Sequence, residues 1–305
     1  MGLRVLESGL YSLLVGRPRT GFRHLGMPVG GPADSAACAL GNALAGNRPD
    51  ALALEVTLLG PTLEADASLA AVVFGAPFQL TASSGQSLAV GRTFNLSARE
   101  TLKIGGTPSG CRAYLCVAGG FARPEILGSP SALEPIRRGD SLECRPSFLK
   151  PRASALGTIR DRPDPTVLRV LPGPQRDWFD AECFLEQTYT VAGAIDRMGL
   201  RLLGRPLVRP PRELASEPVA PGAVQITNDG LPVVLGVDGQ TIGGYPKIAH
   251  VVRADLDALG QLRPGGAVRF VEVSPEEAEI AHAQARANLR RTLALWRVGA
   301  EIEFG

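Results

Sequence analysis

Within 239-GQTIGGYPKIAH-250, nine consecutive residues hold three glycines together with Gln240, Thr241, Tyr245 and Lys247, and Asp238 immediately precedes them. A carboxylate, an amide, two hydroxyls and a cation so close together suit a small polar ligand with carbonyl and carboxylate groups. Gly243 and Gly244 would let the backbone approach such a ligand closely, or adopt a positive φ that other residues resist. A β-turn carrying solvated polar side chains fits the spacing equally well. The neighbouring 216-SEPVAPGAVQITNDG-230 contributes Ser216, Glu217 and Gln225 on a path broken by Gly and Pro. In 193-GAIDRMGLRLLG-204, Arg197 and Arg201 lie four apart, and either could grip a carboxylate with two parallel hydrogen bonds. His24, in the Gly-rich 21-GFRHLGMPVGGPAD-34, is the best placed of three histidines for general-base work. His250 and His282 have no partner visible in the sequence. Only Lys103, Lys150 and Lys247 are lysines among 32 basic residues, so a lysine in the opening motif points to a need for a compact ammonium in place of a forked guanidinium.

Missing motifs narrow the chemistry. The chain has no G-x-S-x-G, no G-x4-G-K-[ST], no H-E-x-x-H and no G-x-G-x-x-G after a strand, which removes the common hydrolase, nucleotide and metalloprotease signatures. Its methionines are 1, 27 and 198, so the Met-Lys-Met that carries covalent biotin is absent. Cysteines at 38, 111, 116, 144 and 183 form no C-x-x-C, and no histidines are spaced to complete a metal site; free buried thiols are expected, and no metal. A formal charge of +2 gives no field to draw in nucleic acid or an anionic membrane. No apolar run approaches bilayer length, so the sequence predicts a soluble cytoplasmic protein.

These residues must be positioned by a β-rich frame. The 36 glycines and 25 prolines cut the chain into short Val-, Leu- and Ala-rich runs such as 68-SLAAVVFGA-76, 112-RAYLCVAGG-120 and 267-AVRFVEVS-274, the pattern of barrels and sandwiches. Three stretches read as helix: 33–46, with Asp34 at its start and Gly46-Asn47 at its end; 175–186; and 274–297, with Ser274 as N-cap and Pro275 in the first turn. The Pro- and Arg-rich stretch between Arg145 and Val167 is the expected junction between a domain at 1–150 and a second at 165–305. Two internal echoes, 21-GFRHLGMP-28 with 199-GLRLLGRP-206 and 110-GCRAYLCVAGG-120 with 230-GLPVVLGVDGQ-240, raise the possibility of a repeated pair of β domains.

Taken in order, RTGFRHLGMPVGGPAD, ALEVTLLGPTL, YLCVAGG, RVLPGPQ, DRMGLRL, SEPVAPGAVQ and GQTIGGYPKIAHV closely resemble the family variously called biotin-dependent carboxyltransferase domain, 5-oxoprolinase C-subunit, Kip-inhibitor antagonist and allophanate hydrolase subunit 2. The resemblance runs through nearly the whole chain. It implies a mainly β fold of two cyclophilin-like β-barrel domains with a few short helices and a C-terminal helix. It also implies a smaller partner resembling the 5-oxoprolinase B-subunit or the Kip inhibitor, and a third, lactam-utilisation subunit. The activity implied is the opening of 5-oxo-L-proline to glutamate at the expense of ATP, with the isolated chain inactive and the place of ATP undetermined. Related chemistry transfers a carboxyl group from biotin, carried elsewhere, to urea.

On that footing Lys247 and Arg197 are expected to hold a carboxylate or phosphorylated amide oxygen. Gln225, Gln240 and Tyr245 would orient the amide, Thr241, Gly243 and Gly244 would line it, and Asp238, Glu217 or His24 would move protons. One departure stands out: where the family commonly carries a polar T-x-Q-D-like run, this chain reads 11-YSLLVGR-17. A regulatory binding protein of the Kip type, without catalysis, accommodates that change more easily.

Overall fold

Short apolar runs punctuated by Gly and Pro build β-structure throughout the computed structural model, which describes residues 2–153 and 166–298. Residues 154–165, which take up much of the expected junction, lie outside the described residues. The described residues fall into two units. The first lies within Met1–Pro18, Asp34–Asp161 and Leu289–Gly305, and the second within Arg19–Ala33 and Arg162–Asn288. Arg19–Ala33 thus clusters with the second unit although it precedes most of the first in sequence, and the end of the last helix clusters with the first.

In the first unit two five-stranded antiparallel sheets share one core. One runs Ser141–Glu143, Gly2–Glu7, Thr62–Ala65, Thr101–Ile104, Leu80–Ala82; the other runs Tyr11–Val15, Ala53–Thr57, Arg112–Val117, Leu69–Gly75, Thr93–Leu96. The central strands of the second sheet are buried at every position, which explains their unbroken apolar letters. The helix Ser35–Leu44 packs on that sheet. Asp34 caps it by accepting from the Ala37 N–H at 3.0 Å, and Gly41 leaves no room for a side chain against Cys116 and Phe74. Beneath the helix start is a buried polar network: the Tyr114 hydroxyl donates to Glu55 at 2.9 Å and accepts from the Asp34 N–H at 2.7 Å, while Arg112 faces Glu55 at 3.4 Å. Trp296 meets Phe74 edge to face at 5.9 Å. Leu13, Leu14 and Val15 of the altered segment are buried members of this core, with Leu13 opposite Glu55.

The second unit is a closed seven-stranded barrel, in the order Thr166–Pro172, Lys247–Val251, Ala223–Ile226, Pro232–Leu235, Gly199–Leu203, Tyr189–Ile195, Ala267–Glu272, which returns to the first strand by the barrel's parallel pairing. Closure removes the sheet edges. Leu168, Val170, Val224, Ile226, Val234 and Ile248 fill the interior, and Phe184 stacks on Phe270 with ring centroids 4.7 Å apart.

The mainly β architecture with a few short helices and a C-terminal helix agrees with expectation. The expected helix at 175–186 is interrupted: a 3-10 turn at Arg176–Trp178 gives way to extended Phe179, and Asp180 caps a separate helix, Ala181–Glu186. The last helix, Pro275–Val298, begins with a reciprocal capping box in which Glu277 N–H donates to the Ser274 hydroxyl at 3.2 Å and Ser274 N–H to the Glu277 carboxylate at 2.8 Å. Of the two sequence echoes, one pairs strand with strand, Arg112–Val117 and Pro232–Leu235. The other pairs a 3-10 turn, Arg23–Leu25, with a strand, Gly199–Leu203, so its shared letters do not specify a shared structure. Cys38, Cys111, Cys116 and Cys144 are buried free thiols, while Cys183 is half-buried. Among the described residues there is no group of metal-ligating side chains and no helix long and apolar enough to cross a membrane.

Candidate functional site

The barrel brings most of the opening motif together with the 216–225 stretch. Strand Ala223–Ile226 pairs with Lys247–Val251, and the register slips between Val224, opposite Ala249, and Gln225, opposite Lys247. Ile248 is the extra residue of this bulge and enters the core. A bulge re-aims the side chains beside it, and here it sets Gln225 against Lys247. A second short pairing, Glu217–Pro218 with Ile242–Gly243, carries Glu217 to the same place.

There the Lys247 ammonium, with its side chain 9% exposed, forms an ion pair with Glu217. Gln175 holds both. Its Oε1 accepts from the Lys247 backbone N–H at 2.9 Å, its Nε2 donates to Glu217 Oε1 at 3.1 Å, and its own N–H donates to the Lys247 carbonyl at 3.1 Å. The hydrogen bond from Lys247, with that residue's charge and the Gln175 amide, outweighs burial and holds the Glu217 carboxyl below the usual carboxylate range. A carboxylate held down in this way accepts protons poorly at neutral pH.

Two side-chain amides converge on Gly243. A Cβ at that position would lie 2.5 Å from Gln240 Nε2 and 2.9 Å from Gln225 Nε2, so close approach, and not a positive φ, is what excludes a side chain there. Gly244 is less constrained, with Ser216 Oγ and the Leu214 carbonyl 3.4 Å from its would-be Cβ. Gln225 is 2% exposed, and its buried Nε2 has no hydrogen-bond partner among the described residues. A buried N–H without an acceptor costs about 1–3 kcal/mol, so this donor is available to a ligand or water oxygen. Thr241 is buried with its carbonyl accepting from the Val219 N–H at 3.0 Å, and Tyr245 is exposed.

Arg197 and Asp238 are joined to each other. Arg197 Nε donates to Asp238 Oδ2 at 2.6 Å and Nη2 to Oδ1 at 3.2 Å, and Nη2 also donates to the Gly31 carbonyl at 2.6 Å. The backbone repeats the connection, Asp238 N–H to the Arg197 carbonyl at 3.0 Å and Gly30 N–H to the Val237 carbonyl at 3.0 Å. Gly236 makes this possible, since a Cβ there would sit 2.3 Å from the Arg197 carbonyl oxygen. The pair fastens two barrel turns and the Gly30–Gly31 segment, an arrangement in which the guanidinium's charge is already matched. Arg201 pairs with Asp229 at the surface. His24 is exposed on the Arg23–Leu25 turn and makes no hydrogen bond or ion pair among the described residues. His250 is half-buried, its Nδ1 3.1 Å from the Val251 carbonyl, and burial lowers its pKa.

Sequence reasoning missed two residues. Gln175 is one; its signal is the Pro-Gly-Pro-Gln turn, in which Gly173 lies so close to the Lys247 carbonyl that a Cβ would meet it at 2.3 Å. Arg23 is the other. Its Nη2 donates to the Val219 and Gln240 carbonyls, the latter at 3.1 Å, and Nη1 is buried without a hydrogen-bond partner among the described residues. Nothing in the sequence separates it from Arg17 or Arg19 nearby.

Comparison with known proteins agrees with this site-bearing fold. The family described as carboxyltransferase domain, subdomain A and B, matches residues 25–272. The chain is 33% identical over 292 residues to the 5-oxoprolinase C-subunit of Escherichia coli strain K12, covering 90% of this chain and 93% of that protein. Among solved structures, TTHA0988 superposes with a TM-score of 0.80 at 36% identity, over 88% of this chain and 56% of its own. The urea amidolyase of K. lactis superposes with a TM-score of 0.86 at 27% identity, over 95% of this chain and 20% of its own. The chain thus spans just over half of the one and a fifth of the other. From the barrel, its bulged Gln225–Lys247 pairing and these matches together, the chain belongs to the carboxyltransferase subdomain A and B family.

Proposed function

We propose that the chain is a cytoplasmic subunit of an ATP-dependent complex that opens the lactam of 5-oxo-L-proline to L-glutamate. It contributes the amide-binding wall, and a smaller partner subunit completes the site, with a third subunit in the assembly. The observation that carries this reading is the Gln225 amide, a buried donor without an acceptor on the strand position opposite a buried ammonium. A ligand carbonyl supplies the missing acceptor. Support also comes from the likeness to the 5-oxoprolinase C-subunit over most of both chains.

In this reading the Lys247 ammonium stabilises negative charge developing on the amide oxygen, a role usually worth several kcal/mol. Glu217 and Gln175 keep that ammonium in place. Gln225 and Gln240 orient the amide over Gly243, and Thr241, Gly244 and Tyr245 border it. Arg197 and Asp238 hold the turns, and proton transfer falls to neither Asp238 nor Glu217, each committed to a cation; His24 is the titratable candidate left for it. The ammonium and the two side-chain amides fit an amide. ATP is consumed by the complex, and no contact to it is assigned to this chain.

The test is Lys247→Ala in the reconstituted complex, read as 5-oxoproline-dependent ATP hydrolysis. Turnover should fall about a hundredfold or more, and full activity would remove Lys247 from the mechanism. A wild-type mixture that binds its partner but shows no such hydrolysis would support a Kip-type regulator instead. The superposition on urea amidolyase favours one further reading, carboxyl transfer from biotin on a separate carrier to urea or a similar amide. That reading requires measurable affinity for free biotin, and no binding at millimolar biotin counts against it.

A further inference from the structure

Several cations of the barrel unit, the Lys247 ammonium of the site among them, face carboxylates. Arg169 faces Asp255, Arg176 faces Glu272, Arg197 faces Asp238, Arg201 faces Asp229 and Lys247 faces Glu217. Arg23 faces no carboxylate among the described residues. One of its nitrogens, Nη2, donates to two backbone carbonyls, Val219 and Gln240, beside the Thr241–Gly243 segment where the Gln225 and Gln240 amides converge. Its other terminal nitrogen, Nη1, is buried and donates to nothing among the described residues, as is true of Gln225 Nε2. The Gln240–Gly243 segment is therefore bordered by two donors from different elements: Arg23, on its turn, bonded to the Gln240 carbonyl, and Gln225, on the strand Ala223–Ile226, whose amide lies against Gly243. A ligand that satisfies both has an anionic oxygen at one end and a carbonyl at the other. An uncharged amide such as urea would satisfy only the second.

We propose that Arg23 is the specificity residue of the site and selects amides that bear a carboxylate, its guanidinium reading the carboxylate while Gln225 reads the amide oxygen. This rests on the small-amide reading above and names the class of amide. Bonds to charged groups are the stronger class of hydrogen bond, so removal of the guanidinium should erase a preference of about ten- to a hundredfold.

The test is calorimetric titration of the full chain, reconstituted with its partner subunit, with 5-oxo-L-proline and with 2-pyrrolidinone, the same lactam without its carboxylate. Wild type should bind the first at least about tenfold more tightly, and Arg23→Gln should bring the two affinities together by weakening only the first. Arg23→Met, which keeps the alkyl stem, reads the same ratio should Arg23→Gln fail to fold. The proposal is overturned if wild type shows no preference, if the preference survives the substitution, or if both ligands weaken equally, the mark of a residue that only staples the loop. The same variant in the complex separates the two levels of argument. 5-Oxoproline turnover at unchanged KM overturns the role of Arg23 and leaves the lactam reading standing. A preference lost with Arg23, in a chain whose wild-type complex does not couple 5-oxoproline to ATP hydrolysis, leaves Arg23 standing and overturns the lactam reading.

Discussion

Replacement of Asp238 by alanine tests whether that carboxylate serves the fold or the chemistry. The Arg197 side chain is 3% exposed and would keep its bond to the Gly31 carbonyl while losing two to Asp238, at 2.6 and 3.2 Å. Removing one partner of a buried pair typically costs about 3–5 kcal/mol, because the other charge stays buried while losing that partner. Asp238 is itself 25% exposed, so water can enter the vacated space and the lower end, about 3 kcal/mol, applies. In a unit of this size 1 kcal/mol moves the thermal midpoint by about 4 °C, which places the barrel's transition about 12 °C below wild type. The chain offers a clean reporter. Of its two tryptophans, Trp178 packs on the barrel core and Trp296 on the first unit, so fluorescence in a Trp296→Phe background follows the barrel alone. The double variant Asp238→Ala/Arg197→Met should be more stable than Asp238→Ala, because it removes the buried guanidinium that has lost its two bonds to Asp238. A single-variant cost below about 1 kcal/mol, or a double variant less stable than the single, would refute the reasoning and return Asp238 to the list of acids available for chemistry.

Gly243→Val should be tolerated by the fold at a cost of about 1–3 kcal/mol, since both clashing groups are side-chain ends, yet it should abolish ligand binding by displacing the Gln225 and Gln240 amides; calorimetry against thermal unfolding separates the two effects. The Glu217 carboxyl has a lowered pKa in the folded chain, so its contribution to stability is present above its unfolded value and disappears as pH falls through the folded one. Stability curves of wild type and Glu217→Gln should accordingly differ at neutral pH and converge below the ordinary carboxylate range. A constant difference from neutral to acid would show that Glu217 acts through something other than its charge.

Where the sequence spoke plainly, the signal was local. Asp34 and Ser274 begin helices because a capping bond spans three residues, and both helices start where the letters place them. Unbroken apolar runs such as Leu69–Gly75 are strands buried on both faces. The same locality misled at 175–186, where apolar spacing alone could not reveal that Asp180 opens a new helix. It misled again in the echo of 21–28 with 199–206, since a Gly-x-Arg-x-Leu-Gly pattern is compatible with a turn in one setting and a strand in another. The 11–17 segment becomes intelligible only in the sheet: Leu13, Leu14 and Val15 fill the first unit's core, so their apolar character answers a packing demand.

The site was legible as a set of residues and illegible as a set of partnerships. Gln225, Glu217, Gly243 and Lys247 were grouped from two neighbouring motifs, and the barrel does group them. Arg197 and Asp238 were assigned separate chemical tasks, but the closed barrel sets them in mutual contact across 41 residues of sequence, and a guanidinium with two bonds to that carboxylate and a third to the Gly31 carbonyl is a poor grip for a second anion. This reasoning bears also on why position 247 holds one of only three lysines. A guanidinium there would bring five N–H groups into a buried corner where Glu217 is the anionic acceptor and Gln225 Nε2 is another donor. Most of those groups would go unmatched. An ammonium concentrates its charge at one point on a flexible stem, so Glu217 and Gln175 can fix it while part of its shell stays open to a ligand oxygen.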